Sequence, residues 1–175
     1  MLKLFCSALA LVAWGVGPAP APTGQIDFTK LRLSQLAFTS SRHQVQQHLG
    51  PPRAVVAAHY ECGAYSSQEQ GQKFYELRYP RVQFIGNSKE GYTIQYVHFA
   101  ANGPTLTYGR QTFSSRTTVA DLQRIFGPGT QPELIKTAEM PQGQTAVSVQ
   151  SRYDDGAIFW FSHGRLTKFE YWTPC

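Results

Sequence analysis

Histidine and cysteine side chains are the first residues of this chain that could do chemistry. His59-x-x-Cys62 offers two metal-ligand types, but a structural zinc site takes four ligands and no second cysteine–histidine pair exists. His43 and His48 are five residues apart, whereas zinc ligands on one helix face are four apart. We therefore predict no metal site and no cofactor.

Acidic and hydroxyl residues give no better catalytic pattern. Asp154 and Asp155 stand side by side before Gly156, an arrangement typical of a turn. On a strand, adjacent side chains would point to opposite faces, so the two carboxylates would not form an acid–base pair. The chain contains no Gly-x-Ser-x-Gly elbow and no glycine-rich phosphate loop leading into a helix. We predict no catalytic residues and a non-enzymatic protein. The alternative is a small-ligand-binding protein or a hydrolase-like enzyme, with its site between two structural units, near residues 65–72 and the histidines.

Two cysteines, Cys62 and Cys175, remain once the N-terminal segment containing Cys6 is set aside. An even pair suits an oxidising compartment. If they pair, the closed loop spans more than 100 residues, and loss of chain entropy in the unfolded state would contribute about 4–5 kcal/mol. The alternative is two separate thiols.

Large aromatic residues make the stronger functional case. Phe99, Trp160 and Trp172 fall in segments with strand-like composition, and the neighbouring polar residues are Gln95, Lys168 and Glu170. Aromatic anchors with a mixed polar surround are typical of protein recognition surfaces. These six residues are our predicted partner-binding surface. The alternative is that the rings complete the core where two units meet.

A short phrase that occurs twice predicts the helices that position these residues. Ser41 and Thr118 each begin a run with apolar residues four apart, and each run ends in Gly-Pro, at Gly50 and Gly127. A hydroxyl cap at the start and a glycine at the end delimit a short helix. The repeat predicts one structural unit used twice.

Aromatic and β-branched segments after each helix predict four antiparallel strands per unit. The predicted strands are 53–60, 73–79, 82–85 and 92–99, then 135–139, 146–152, 157–162 and 165–172. Alternation in the last strand of each unit divides the residues between a helix face and a solvent face. The helix face holds Tyr92, Ile94, Tyr96, His98, Arg165, Thr167, Phe169 and Tyr171. The solvent face holds Thr93, Gln95, Val97, Phe99, Leu166, Lys168, Glu170 and Trp172.

A capped short helix ending in Leu-Gly-Pro or Phe-Gly-Pro, followed by four strands and repeated, resembles the tandem-repeat fold of the beta-lactamase inhibitory protein family. It also looks like the single-unit small outer-membrane assembly lipoproteins, although this chain lacks a lipid-attachment cysteine. The resemblance implies curved sheets with helices on the convex side, and protein binding through a concave face that carries aromatic residues. No binding residue of that family is matched to a position in this chain.

The N-terminus has a charged start, an apolar run from Leu4 to Val16 and a small-residue exit, which predicts a signal peptide over residues 1–22. The alternative is a transmembrane anchor, but the apolar run is shorter than a membrane span requires. We therefore expect no transmembrane segment in the mature chain. The net charge of +5 is scattered, which predicts no nucleic-acid partner.

We therefore expect an exported, periplasmic or extracellular, α+β protein with two helix-plus-sheet units, 23–103 and 104–175. Its predicted role is to bind a protein or an envelope component through a sheet face. A third possibility is a structural protein with no dedicated site.

Overall fold

The secondary structure is mostly strand, and the computed structural model describes residues 24–128, 130 and 144–175. Three short strands precede a helix and four longer strands; two more short strands then precede a second main helix, after which three longer strands are described. The helical elements are a 3-10 turn Phe28–Lys30, α1 Arg42–Leu49, α2 Ser67–Gln70 and α3 Val119–Phe126. The strands are β1 Leu31–Leu33, β2 Leu36–Ala37, β3 Thr39–Ser40, β4 Ala54–Ala57, β5 Tyr75–Arg78, β6 Val82–Asn87, β7 Gly91–His98, β8 Leu106–Tyr108, β9 Gln111–Phe113, β10 Gln144–Gln150, β11 Gly156–Ser162 and β12 Arg165–Trp172.

One large antiparallel sheet runs through both halves of the chain. Its order is β10-β11-β12-β7-β6-β5-β4, with β3 pairing one end of β7. A small sheet has the order β2-β1-β8-β9, so it also takes strands from both halves. The α+β class and the antiparallel sheets are confirmed. The predicted strand 135–139 and the predicted signal peptide 1–22 lie outside the described residues.

The two main helices begin and end as the sequence indicates. In α1 the side chain of Ser41 accepts a hydrogen bond from the Gln44 amide, and Gln44 Oε1 accepts one from the Ser41 amide at 2.8 Å. Thr118 and Asp121 form the same box before α3. Hydrogen bonds from the backbone and side chain of Thr118 lower the pKa of Asp121, because they favour its charged form. Gly50 ends α1 at φ 76°, which favours glycine.

The hydrophobic core lies on one face of the large sheet. A single cluster joins residues of both helices, both halves of the small sheet and the large sheet. Its members include Val45, Leu122 and Phe126 from the helices, Leu31, Leu33 and Phe113 from the small sheet, and Phe84, Ile94, Val97 and Phe169 from the large sheet. We call the other side of the large sheet the open face.

Two bulges correct the predicted division of faces. The β6–β7 register passes from Gln83↔Tyr96 to Phe84↔Ile94 and skips Gln95, and the β11–β12 register skips Thr167 in the same way. An extra residue reverses the inside–outside alternation beyond it. The prediction was therefore wrong for Val97, Phe99 and Leu166, which are buried in the core, and for Tyr96 and His98, which lie on the open face.

The chain terminus is held next to the loop that precedes β5. Cys62 and Cys175 lie at disulfide distance, with Cα atoms 5.0 Å apart, inside the range of natural disulfides. Gly63 lets the two segments approach, because a Cβ there would lie 2.6 Å from the carbonyl oxygen of Pro174. The structure therefore leaves room for a disulfide between Cys62 and Cys175, as their even number suggested.

Loss of the helix cap should destabilise the fold by a small, measurable amount. We expect Ser41→Ala to lower the free energy of unfolding by about 1 kcal/mol, because the amide of Gln44 loses its acceptor. Denaturant unfolding measures the change. The matched control is Gln47→Ala on the exposed side of α1, which should change stability by less than about 0.5 kcal/mol. Equal effects of the two substitutions would contradict the capping role.

Loss of the disulfide should have a larger effect. We expect Cys62→Ser with Cys175→Ser to lower the free energy of unfolding by at most about 4–5 kcal/mol, because the unfolded chain regains the entropy of a loop closed across 113 residues. Unfolding of the wild-type protein before and after reduction is the control for the substitutions. Alkylation of both cysteines in the native, unreduced protein, detected by mass spectrometry, would contradict the pairing.

Candidate functional site

The open face carries a continuous band of aromatic and charged side chains across five strands. We call this band the open-face strip. It comprises Trp160, Lys168, Glu170, Trp172, Tyr96, His98, Gln95, Gln83, Glu76 and Arg78. The pairing of β12 with β7 places Lys168 opposite His98 and Glu170 opposite Tyr96, so residues from the two halves of the sequence meet at its centre.

Five of the six residues predicted for partner binding lie in this strip. They are Gln95, Trp160, Lys168, Glu170 and Trp172. Phe99 is the exception, because it is only 7 % exposed and packs in the core on the opposite side of the sheet. The bulge at Gln95 explains the error, since it turns Val97 and Phe99 inward and leaves the side chain of Gln95 on the open face.

Glu170 organises the centre of the strip. Its Oε2 accepts a hydrogen bond from Trp160 Nε1 at 2.9 Å and another from Lys168 Nζ at 2.7 Å. The Lys168 ammonium lies 5.6 Å from the centre of the Tyr96 ring and 5.9 Å from that of Trp160, within cation–π range. The carboxylate thus fixes the indole ring and the ammonium together.

Trp172 supplies the largest exposed apolar surface of the strip. It is 41 % exposed and pairs with Gly156, which has no side chain to cover it. Among the described residues, the other exposed large apolar side chains are Val55 and Tyr153, neither of which belongs to the strip. An indole ring left open beside fixed polar groups is a suitable anchor for a partner.

The predicted surface omitted five residues of the strip, Tyr96, His98, Gln83, Glu76 and Arg78, and also Tyr60 beside it. Tyr96 and His98 had been assigned to the helix face, and their rings lie 5.0 Å apart on the open face. Partial burial lowers the pKa of His98, and the charges of Lys168 and Arg81 lower it further, which favours the neutral ring. Tyr60 comes from a loop and accepts a hydrogen bond from Gln95, and burial raises the pKa of its phenol.

A loop between β4 and β5 forms a wall at one side of the strip. Its residues Tyr60 and Tyr65 pack on a small cluster made of Ala58, Phe74 and Ile85. Burial raises the pKa of Tyr65 to about 12. The segment 65–72 contains α2, and Ser66 is its cap. The strip is therefore a shallow surface bounded on one side, rather than an enclosed cleft.

The residues considered for metal or acid–base chemistry have other contacts. Cys62 lies against Cys175, which leaves His59 without its proposed co-ligand. Within 24–128, 130 and 144–175, no group of three or more His, Cys, Asp and Glu residues could hold a metal ion. Asp154 and Asp155 lie in the connection of the β10–β11 hairpin, as predicted, and Asp155 Oδ2 accepts a hydrogen bond from Tyr171 at 2.7 Å.

The helices in the described part of the chain are all too short or too polar to cross a membrane. Comparison with known proteins finds no matching family model, no matching curated protein and no matching solved structure.

Proposed function

We propose that this chain is an exported, non-enzymatic binding protein that recognises another protein or an envelope component through the open-face strip. The observation that carries the proposal is the group formed by Trp160, Lys168, Glu170 and Tyr96, which lies beside the exposed Trp172. Export is part of the proposal, and it is supported by the N-terminal pattern of residues 1–22 and by the cysteine pair at disulfide distance.

The fixed geometry of the strip favours binding. Association costs free energy for every flexible side chain that becomes ordered, typically about 0.5–1.5 kcal/mol. Trp160 and Lys168 are already held by Glu170, and Gln95 is held between Gln83 and Tyr60, so much of this cost is met before a partner arrives. A pre-organised aromatic and charged surface on a rigid sheet suits a protein partner better than a small ligand, which needs an enclosed site.

The charge of the strip also favours recognition by shape. Lys168 pairs with Glu170, and Arg78 pairs with Glu76, so the opposite charges are compensated within the surface. Neutral His98 adds a donor and an acceptor without a net charge. A partner would therefore be selected by fit to the indole rings and by hydrogen bonds at the rim. The resemblance to a fold that binds proteins through a sheet face agrees with this surface.

Removal of the two indole rings should abolish partner binding and leave the fold intact. We expect Trp160→Ala with Trp172→Ala to weaken the affinity for the partner by about 1,000-fold, because each of the two hot-spot rings contributes about 2 kcal/mol or more. Affinity capture from the exported fraction of the native host identifies the partner, and titration with the purified partner measures the change.

Val55→Ala is the matched control, because Val55 is exposed to a similar degree, 42 %, and points away from the open face. It should leave binding unchanged, and the thermal midpoints of all variants should stay within a few degrees of the wild type. A double variant that binds as tightly as the wild type contradicts the proposal. A large fall in its thermal midpoint would instead show that the rings serve the core.

A further inference from the structure

A cleft of about 610 Å³ lies outside the open-face strip, between the N-terminal 3-10 turn and the connection from β10 to β11. One wall is formed by residues 25–30 and the other by Ser151, Arg152, Tyr153 and Asp155, with Phe38 and Tyr108 between them. The two walls come from opposite halves of the sequence. The volume is in the range of sites that hold small organic ligands.

The lining of the cleft is rich in aromatic rings. Phe28 and Phe38 stack with their centres 4.3 Å apart, and the ring of Tyr171 packs edge-on against both at 5.0 Å. Tyr153 is 66 % exposed on the opposite wall. The guanidinium of Arg152 lies 4.8 Å from the centre of its ring, so a cation already occupies one face of this tyrosine. The surface suits an apolar body with a positive charge.

Asp155 supplies a fixed negative charge to the cleft. Its two oxygens accept hydrogen bonds from Ser151 Oγ and from the Tyr171 hydroxyl, which orient the carboxylate without neutralising it. Among the described residues no Lys, Arg or His forms an ion pair with Asp155, whereas Asp27 on the other wall is paired with Lys30 at 3.3 Å. A carboxylate next to aromatic rings favours a ligand ammonium group.

We propose that this cleft binds an organic cation, an amine with an aromatic or alkyl body, whose ammonium group contacts Asp155 and whose apolar part lies on Phe28 and Phe38. The site is separate from the open-face strip, since Trp160, Lys168 and Glu170 do not line it. Its lining contains none of residues 65–72 and no histidine, where a possible ligand site was expected from the sequence, although Tyr65 packs behind it against Tyr171 with ring centres 6.5 Å apart. Two positive side chains line the cleft: Lys30 is paired with Asp27, and Arg152 competes with the ligand for the face of Tyr153.

The test compares two probes of similar shape and opposite charge, 2-phenylethylamine and 3-phenylpropionate, with the purified wild-type protein at pH 7. We expect the amine to bind at least about tenfold more tightly than the carboxylate, with amide NMR shifts at residues 26–29 and 151–155. Tighter binding of the carboxylate, or no shifts with millimolar amine, would overturn the proposal.

Substitutions with opposite expected signs sharpen the test. Asp155→Asn should weaken amine binding roughly 10- to 100-fold, because a charge-assisted hydrogen bond is lost. Arg152→Ala should strengthen it, because the competing cation is removed, and Arg152 is exposed, so the fold is kept. Tyr153→Ala, also exposed, should weaken it by roughly two- to fivefold. Stronger amine binding by Asp155→Asn or weaker binding by Arg152→Ala overturns the assignment.

Trp160→Ala separates this site from the proposed partner surface. The substitution should leave amine affinity unchanged, because Trp160 does not line the cleft. Amine binding that persists in a variant unable to bind the protein partner shows two independent sites. Loss of amine binding in Trp160→Ala would place the amine on the open-face strip and overturn the assignment.

Discussion

The antiparallel pairing of β7 with β12 is the constraint on which the rest of the structure depends. It is short, with His98 opposite Lys168, Val97 opposite Phe169 and Tyr96 opposite Glu170. The middle pair points into the core and the outer pairs point to the open face. We call the β7–β12 pairing the seam. It joins the two halves of the large sheet and continues the core between them. It also brings charged and aromatic residues of both halves together at the centre of the strip.

Local chemistry made α1, α3 and the strands β4 to β7 and β10 to β12 predictable, but not α2 or the short strands β1 to β3, β8 and β9. The cap residues Ser41 and Thr118 and the stop residues Gly50 and Gly127 determine where α1 and α3 begin and end, because each satisfies or releases backbone groups within a few residues. The seam itself could not be predicted in this way. Its register depends on burial of Val97 and Phe169 in a core that they share with distant residues, including Leu122 and Phe126 of α3. A short segment of sequence carries no signal of such long-range packing.

Only part of the open-face strip could be predicted, because the bulges also decide which side chains lie on that face. Lys168, Glu170 and Trp172 follow the bulge in β12, where simple alternation gives the correct face. In β7 the bulge falls at Gln95, in the middle of the strand, so alternation fails after it and Phe99 and His98 exchange sides. Neither Gln95 nor Thr167 is a glycine, and no local residue type indicates a bulge. Such irregularities arise where two twisted half-sheets must share one core.

The two proposed surfaces differ in how their charges are balanced, and this difference separates their chemistry. On the open-face strip, Lys168 is neutralised by Glu170, so attraction at long range is weak and affinity there would depend on rings that exclude water. In the cleft, Asp155 is oriented by two hydroxyl groups that carry no charge, and its field remains for a ligand. A charge-compensated sheet surface suits a large partner of matching shape. A concave site in which Asp155 has no ion-pair partner among the described residues selects a small molecule by its sign.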